Sequence, residues 1–142
     1  MNQLFITTLL LFNAAIASNT TQNWALEGYD VVSYFSNAQP LKGKTSIAVE
    51  WEGKVYLFSS KENSRAFKRH PSSYLPQYDG WCAYAMAKGK KVTINPKAFV
   101  IQENKLYLFY KTKWIDTQQK WLKKPLLLQS QADRHWNTII SQ

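Results

Sequence analysis

Cysteine is almost missing from this chain. Among 142 residues only Cys82 is present, so no internal disulfide can form. Histidine is nearly as scarce, with two residues, and nine acidic side chains face 18 Lys and Arg. So few thiols and imidazoles argue against a closed structural zinc site, which usually draws four ligands from those types. No CxxC pair, phosphate-binding glycine loop or hydrolase-type serine motif occurs. A nucleophilic cysteine hydrolase needs an imidazole base beside its thiol, and the sequence places neither His70 nor His135 next to Cys82. Whether the chain is an enzyme stays open on these grounds.

Long hydrophobic runs are lacking too. The most apolar stretch, residues 4–12, is too short for a membrane span of about 20 residues. It lies in MNQLFITTLLLFNAAIA, which carries no charged side chain and ends in Ala15-Ile16-Ala17, the small-x-small pattern of a signal-peptidase site. Residues 1–17 are therefore expected to be a cleaved export signal, with an uncleaved anchor as the alternative, since Lys and Arg are absent from the amino end. Residues 18–142 are then one exported domain, periplasmic or secreted, with no integral span after cleavage and a size that can bury a core without disulfides. The signal contributes no charge, so the net charge of +9 stays with the mature part. Such a surface favours anionic contacts such as membrane headgroups, wall polymers or an acidic protein; nucleic acid is not expected outside the cell. The basic residues are spread along the whole chain, which also fits a generally solvated basic surface.

An internal echo organises what is present. VEWEGKVYLF at residues 49–58 recurs as VIQENKLYLF at residues 100–109, an offset of 51. Each copy reads as two strands around a tight turn, where Gly53 or Asn104 supplies positive φ. Each is followed by a helix candidate ending before a proline, over 61–69 and 113–123, the first with a capping box in Ser59-Ser60-Lys61-Glu62. The expected fold is α+β: two β-hairpin-helix units forming one small antiparallel sheet packed by short helices.

Between the units lies QYDGWCAYAMAKG, residues 77–89. Asp79 as N-cap, alanines at 83, 85 and 87 and Gly89 at the C-terminal end predict a helix over 80–88. That frame sets Cys82 at the third helical position, where free amides and the helix dipole favour a thiolate. The same cysteine, small and apolar among alanines, also suits filling a core, the role that the residues by themselves favour. Met86 lies one turn after Cys82, so the two sulfurs share a helix face and suit a soft ion such as Cu(I) or Ag(I). His70, just before Pro71, is the candidate third ligand, and His135 a weaker one. Met86 as a core residue, His70 as a helix-end residue and Asp30 as a turn or capping residue are the competing structural roles.

Over residues 25–136 the chain resembles the YHS-domain proteins, in particular the exported single-domain group described as YHS-domain (seleno)proteins. The resemblance is carried, in order, by ALEGYDVVSYF, VYLFSSKENSRAFKRHPSSYLPQYDGWCAYAMAKG, Pro96, KLYLFY, Trp121 and Ala132-Asp133-x-x-Trp136. It implies chemistry at Cys82, because some members of that group carry selenocysteine there. It also implies metal association, since the wider family is similar to cysteine-rich metal-binding domains and accompanies heavy-metal transport proteins. The multi-cysteine pattern of those domains is not present here. The expected function is thus an exported protein whose reactive, solvent-reachable Cys82 works in soft-metal binding with Met86 and His70, or in thiol redox chemistry. The expected cofactor is Cu(I) or another soft ion, and the partner a metal-transport or redox protein. The alternative is a non-catalytic binding module with an aromatic surface, for which Tyr29, Tyr34, Tyr78, Trp81 and Tyr84 are the candidates. Exposure of Cys82 discriminates the two.

Overall fold

The structure, a computed structural model, describes residues 23–142; the expected export signal at residues 1–17 lies outside the described residues. The fold is α+β, as expected. Strands β1 (Lys44–Trp51) and β2 (Lys54–Phe58) form one antiparallel hairpin, and β3 (Asn95–Gln102) and β4 (Lys105–Phe109) form another. Both turns are built as anticipated, with left-handed Glu52-Gly53 and Glu103-Asn104.

The two hairpins do not merge into the single sheet expected from the sequence; they form two separate two-stranded sheets. The reason lies at their edges. The outer side of β2 is taken by a parallel bridge from Trp24 to Val55, and the outer side of β4 by one from Pro76 to Leu106. β1 and β3 each carry a register break, between Lys44 and Ala48 and between Asn95 and Phe99, which bends the remaining edge away from further pairing.

Helix α1 (Lys61–Arg69) occupies the expected span, with the Ser60 hydroxyl accepting from the Asn63 N–H. Its cap is thus Ser60, and Ser59 turns inward instead. The short α2 (Pro71–Tyr74) follows. The expected helix over 113–123 shortens to α4 (Thr117–Leu122), because Thr112 draws residues 112–115 into a turn and Asp116 caps the helix through the Gln119 N–H. The longest helix, α5 (Pro125–Ile140), begins at the proline that ends α4 and was not anticipated.

β4 lies between two clusters of buried side chains, and its alternation divides it between them. Leu106 and Leu108 enter a cluster with Tyr34, Tyr56, Phe58 and Phe67; Tyr107 and Phe109 enter another with Met86, Trp121, Leu128 and Ala132. Phe67 stacks 4.9 Å from Tyr56 and 5.3 Å from Phe58, and Trp121 repeats the arrangement 5.2 Å from Tyr107 and 5.6 Å from Phe109.

The duplication extends well beyond the hairpins. Leu26, Glu27 and Gly28 have φ of 55, 53 and 81°, and Tyr78, Asp79 and Gly80, 52 positions on, have 58, 53 and 83°. The Asp30 N–H donates to the Leu41 carbonyl at 2.8 Å, and the Cys82 N–H to the Val92 carbonyl at 2.9 Å. The chain is one structural unit built twice, with Asp30 and Cys82 in equivalent places.

Candidate functional site

The residue ahead of the first helical turn in each unit has a distinct fate. Asp30 is completely buried and caps residues 31–35, its Oδ1 accepting from the Val32 N–H at 2.9 Å and the Ser33 N–H at 3.3 Å. Its Oδ2 accepts from the Ser59 N–H at 2.8 Å, the Ser59 hydroxyl at 2.6 Å and the Asn63 amide at 2.7 Å. One carboxylate thereby ties the first turn, the end of β2 and the start of α1. Its role is the capping role suggested by its place in GYD, extended across the fold.

Cys82 takes the same place in the second unit. The helix expected over 80–88 is shorter: Tyr78, Asp79 and Gly80 are left-handed, Cys82 is non-helical at φ -56° and ψ 118°, and α3 covers Ala83–Met86. Cys82 is therefore the residue before the helix and not its third position, and Asp79 pairs with Lys54 instead of capping. Gly89 does terminate the turn, at φ 73°, with its N–H on Met86 and the Lys90 N–H on Ala85. The expectation that Cys82 is solvent-reachable is overturned. Cys82 has no exposed surface, and its Sγ lies 3.4 Å from the Thr117 hydroxyl, which itself donates to the Tyr110 carbonyl.

Met86 is also fully buried, its N–H on the Cys82 carbonyl at 2.9 Å, so the two sulfur residues do sit one turn apart, inside the core rather than on an exposed helix. His70 ends α1 in the other unit and is exposed; His135 packs its ring against Gly89. Among the described residues no group of three or more His, Cys, Asp or Glu is placed to hold a metal ion. A two-sulfur pair without a third donor, closed off from water, does not fit a resident metal site of the usual kind.

The aromatic candidates divide. Tyr29, Tyr34 and Tyr78 are core residues: Tyr34 donates to the Pro96 carbonyl at 2.7 Å, Tyr78 to Asp133 at 2.8 Å, and the Lys42 ammonium covers the Tyr29 ring at 4.0 Å. Burial, and for Tyr78 the bond to Asp133, holds the Tyr34 and Tyr78 phenols far above their ordinary range, and burial pushes Tyr56 up to about 12. Trp81 and Tyr84 are half-buried and remain partly accessible.

Trp81 lines a groove that has no counterpart in the expectation. The two left-handed turns face it from opposite units, Trp24, Leu26 and Glu27 from the first and Pro76, Asp79 and Trp81 from the second, with Tyr56 also lining it. Its volume is about 360 Å³, within the ordinary range for small-molecule sites. A second depression of about 410 Å³ shares Lys54, Tyr56, Pro76 and Asp79 with it, so the Lys54–Asp79 ion pair stands at the boundary of the two. Three of the wall-forming turn residues, Leu26, Glu27 and Asp79, are non-glycine residues held left-handed, a conformation costing about 1 kcal/mol or more each, and the buried Tyr78 beside Asp79 is held the same way. Strain of this kind persists where the surroundings over-determine it, and it gathers at binding sites.

Residues 32–78 match the family model of the YHS domain. The chain carries a YHS domain. No curated protein and no solved structure matches the chain. The matched span of the YHS domain starts within the first turn's helix and stops at the first left-handed residue of the second, so it contains the Asp30 partners Ser59 and Asn63 and ends at the groove. Trp24, Glu27, Lys54 and Asp79 went unnoticed as site residues. A signal for two of them is present: Glu27-Gly28 and Asp79-Gly80 are acid-glycine pairs followed by an aromatic residue, at an offset within one residue of that between the hairpins.

Proposed function

We propose that this YHS domain is an exported, non-catalytic binding module that takes a small ligand with a flat apolar body in the groove between its two units. The observation that carries the proposal is the convergence of both strained turns on one aromatic-walled cavity. Trp24 and Trp81 supply faces for stacking; Glu27 and the Lys54–Asp79 pair supply polar ends for orientation. The burial of Cys82 supports this over a reactive thiol. The test is a fragment screen of small aromatic amines and acids by backbone amide NMR. Binders are expected to shift resonances at 24–27, 54 and 79–81 and to lose affinity about tenfold or more in Trp24→Ala, whose side chain is half-exposed. Binders that map elsewhere, or that are indifferent to Trp24→Ala and Trp81→Ala, refute the proposal. Export is tested separately, by amino-terminal sequencing of protein from the native host, which is expected to begin at Ser18; an intact Met1 in the soluble fraction refutes it.

A second reading, soft-metal capture at Cys82 and Met86 with His70 or a metal-transport partner as further donor, is favoured by one observation, the stacking of the two buried sulfur residues a turn apart. The YHS family's association with metal handling agrees with it. It requires Cu(I) to bind with opening of the core, and loss of binding in Cys82→Ser under competition with a Cu(I) chelator would establish it over the groove.

A further inference from the structure

We infer that residues 111–127 form a docking face for the surface of an anionic lipid bilayer, separate from the groove. Among the described residues nine large hydrophobic side chains are exposed, and five of them, Trp114, Ile115, Leu122, Leu126 and Leu127, fall in these 17 positions. Trp114 is the most exposed of all at 85%. The loop after β4, the outer side of α4 and the first turn of α5 carry them. The same stretch holds five lysines, Lys111, Lys113, Lys120, Lys123 and Lys124, and one acid, Asp116. Asp116 is occupied by Lys111 at 2.6 Å, a hydrogen bond that holds its carboxyl below the usual range, so four lysines remain in excess.

The composition decides between a bilayer and an acidic protein as occupant. Protein interfaces are enriched in Arg and depleted in Lys, whereas all five bases here are Lys and Arg is absent from the stretch. A headgroup layer needs only diffuse positive charge around apolar tips, and Trp favours that depth because its ring has an apolar body and a polar edge. The Lys113 ammonium lies 5.0 Å from the Trp114 ring centroid, so the loop tip presents charge and apolar surface together. Among the described residues no helix is long and apolar enough to cross a membrane, and apolar tips ringed by lysines suit contact at the surface.

Co-sedimentation of protein purified from the soluble fraction, with vesicles of phosphatidylcholine alone or with phosphatidylglycerol added, tests this. Binding is expected to the anionic vesicles, falling steeply with salt. Each lysine near such a surface contributes about fivefold, so Lys123→Gln with Lys124→Gln should cost about 25-fold. Trp114→Ala should cost about tenfold. These side chains are exposed, so unchanged thermal midpoints are expected and show that the variants fold. The control pair Lys61→Gln with Lys68→Gln, exposed on α1, should cost less than threefold. Equal losses in the two lysine pairs would mean a diffuse basic surface and overturn the inference. So would unchanged binding in Trp114→Ala, equal binding to zwitterionic vesicles, or no vesicle binding by the parent.

Discussion

Replacing Asp30 by alanine should come close to unfolding the domain. The substitution removes a cap from residues 31–35, worth about 1 kcal/mol, and leaves the Ser59 N–H, the Ser59 hydroxyl and the Asn63 amide aimed at a buried space without an acceptor. A buried donor without a partner costs about 1–3 kcal/mol, and entering water returns part of that. The sum is about 4–6 kcal/mol, against a total stability of about 5–15 kcal/mol for a domain of ordinary size. Asp30→Asn keeps the volume and one acceptor oxygen but turns an NH2 toward those donors, so about 2–3 kcal/mol is expected. Urea unfolding followed by tryptophan fluorescence gives both numbers. In a double-mutant cycle, Asn63→Ala should cost less on the Asp30→Ala background than alone, by about 1 kcal/mol or more. An Asp30→Ala variant within about 1 kcal/mol of the parent, or additive losses in the cycle, would refute the idea that this carboxylate joins the turn, β2 and α1.

The remaining predictions concern the core. Cys82 should resist iodoacetamide in the folded protein and react only on unfolding, read by intact mass; rapid reaction in native buffer would contradict its burial. Stability should fall steeply from pH 10 to 12. Tyr56 and Tyr107 are pushed up to about 12 by burial and Tyr34 and Tyr78 further, so these phenols stay protonated when folded while the unfolded chain ionises near pH 10. Their contribution is complete below pH 10 and is lost at about 1.4 kcal/mol per pH unit for each tyrosine above it. Thermal midpoints against pH, with tyrosinate absorbance, measure this, and a flat profile to pH 12 would refute it. Gly43→Ala should destabilise by about 3 kcal/mol or more, since a Cβ there would lie 2.4 Å from both the backbone carbon and the Cβ of Leu57, whereas Gly53→Ala, with open space but φ 74°, should cost about 1 kcal/mol.

The parts of this fold legible in the sequence are those set by local chemistry. The hairpins were readable because Gly53 and Asn104 mark their turns, and α1 because Ser60 caps it and Pro71 follows it. Two sheets in place of one are not legible because the segments that occupy the hairpin edges, at Trp24 and Pro76, are not strands and leave no periodic trace. Asp79, a good N-cap by type, points to a helix start earlier than the one that forms before Ala83, and only the ion pair with Lys54 and the left-handed turn show why it does not serve as a cap. The groove leaves no trace in the sequence because its walls come from residues more than 50 positions apart, in a backbone conformation that Leu26 and Glu27 rarely adopt.

A unit that appears twice in one chain achieves what a symmetric dimer achieves with two, and it does so at any dilution, since no second molecule has to be found. It also escapes the constraint of identical subunits. In a two-fold dimer both walls of a central cleft are the same, and a bound molecule can enter either way round. Here one wall offers Trp24 and Glu27 where the other offers Pro76 and Asp79, and only the second is locked to a lysine. The cleft therefore has a direction, and it can tell the head of a guest from its tail.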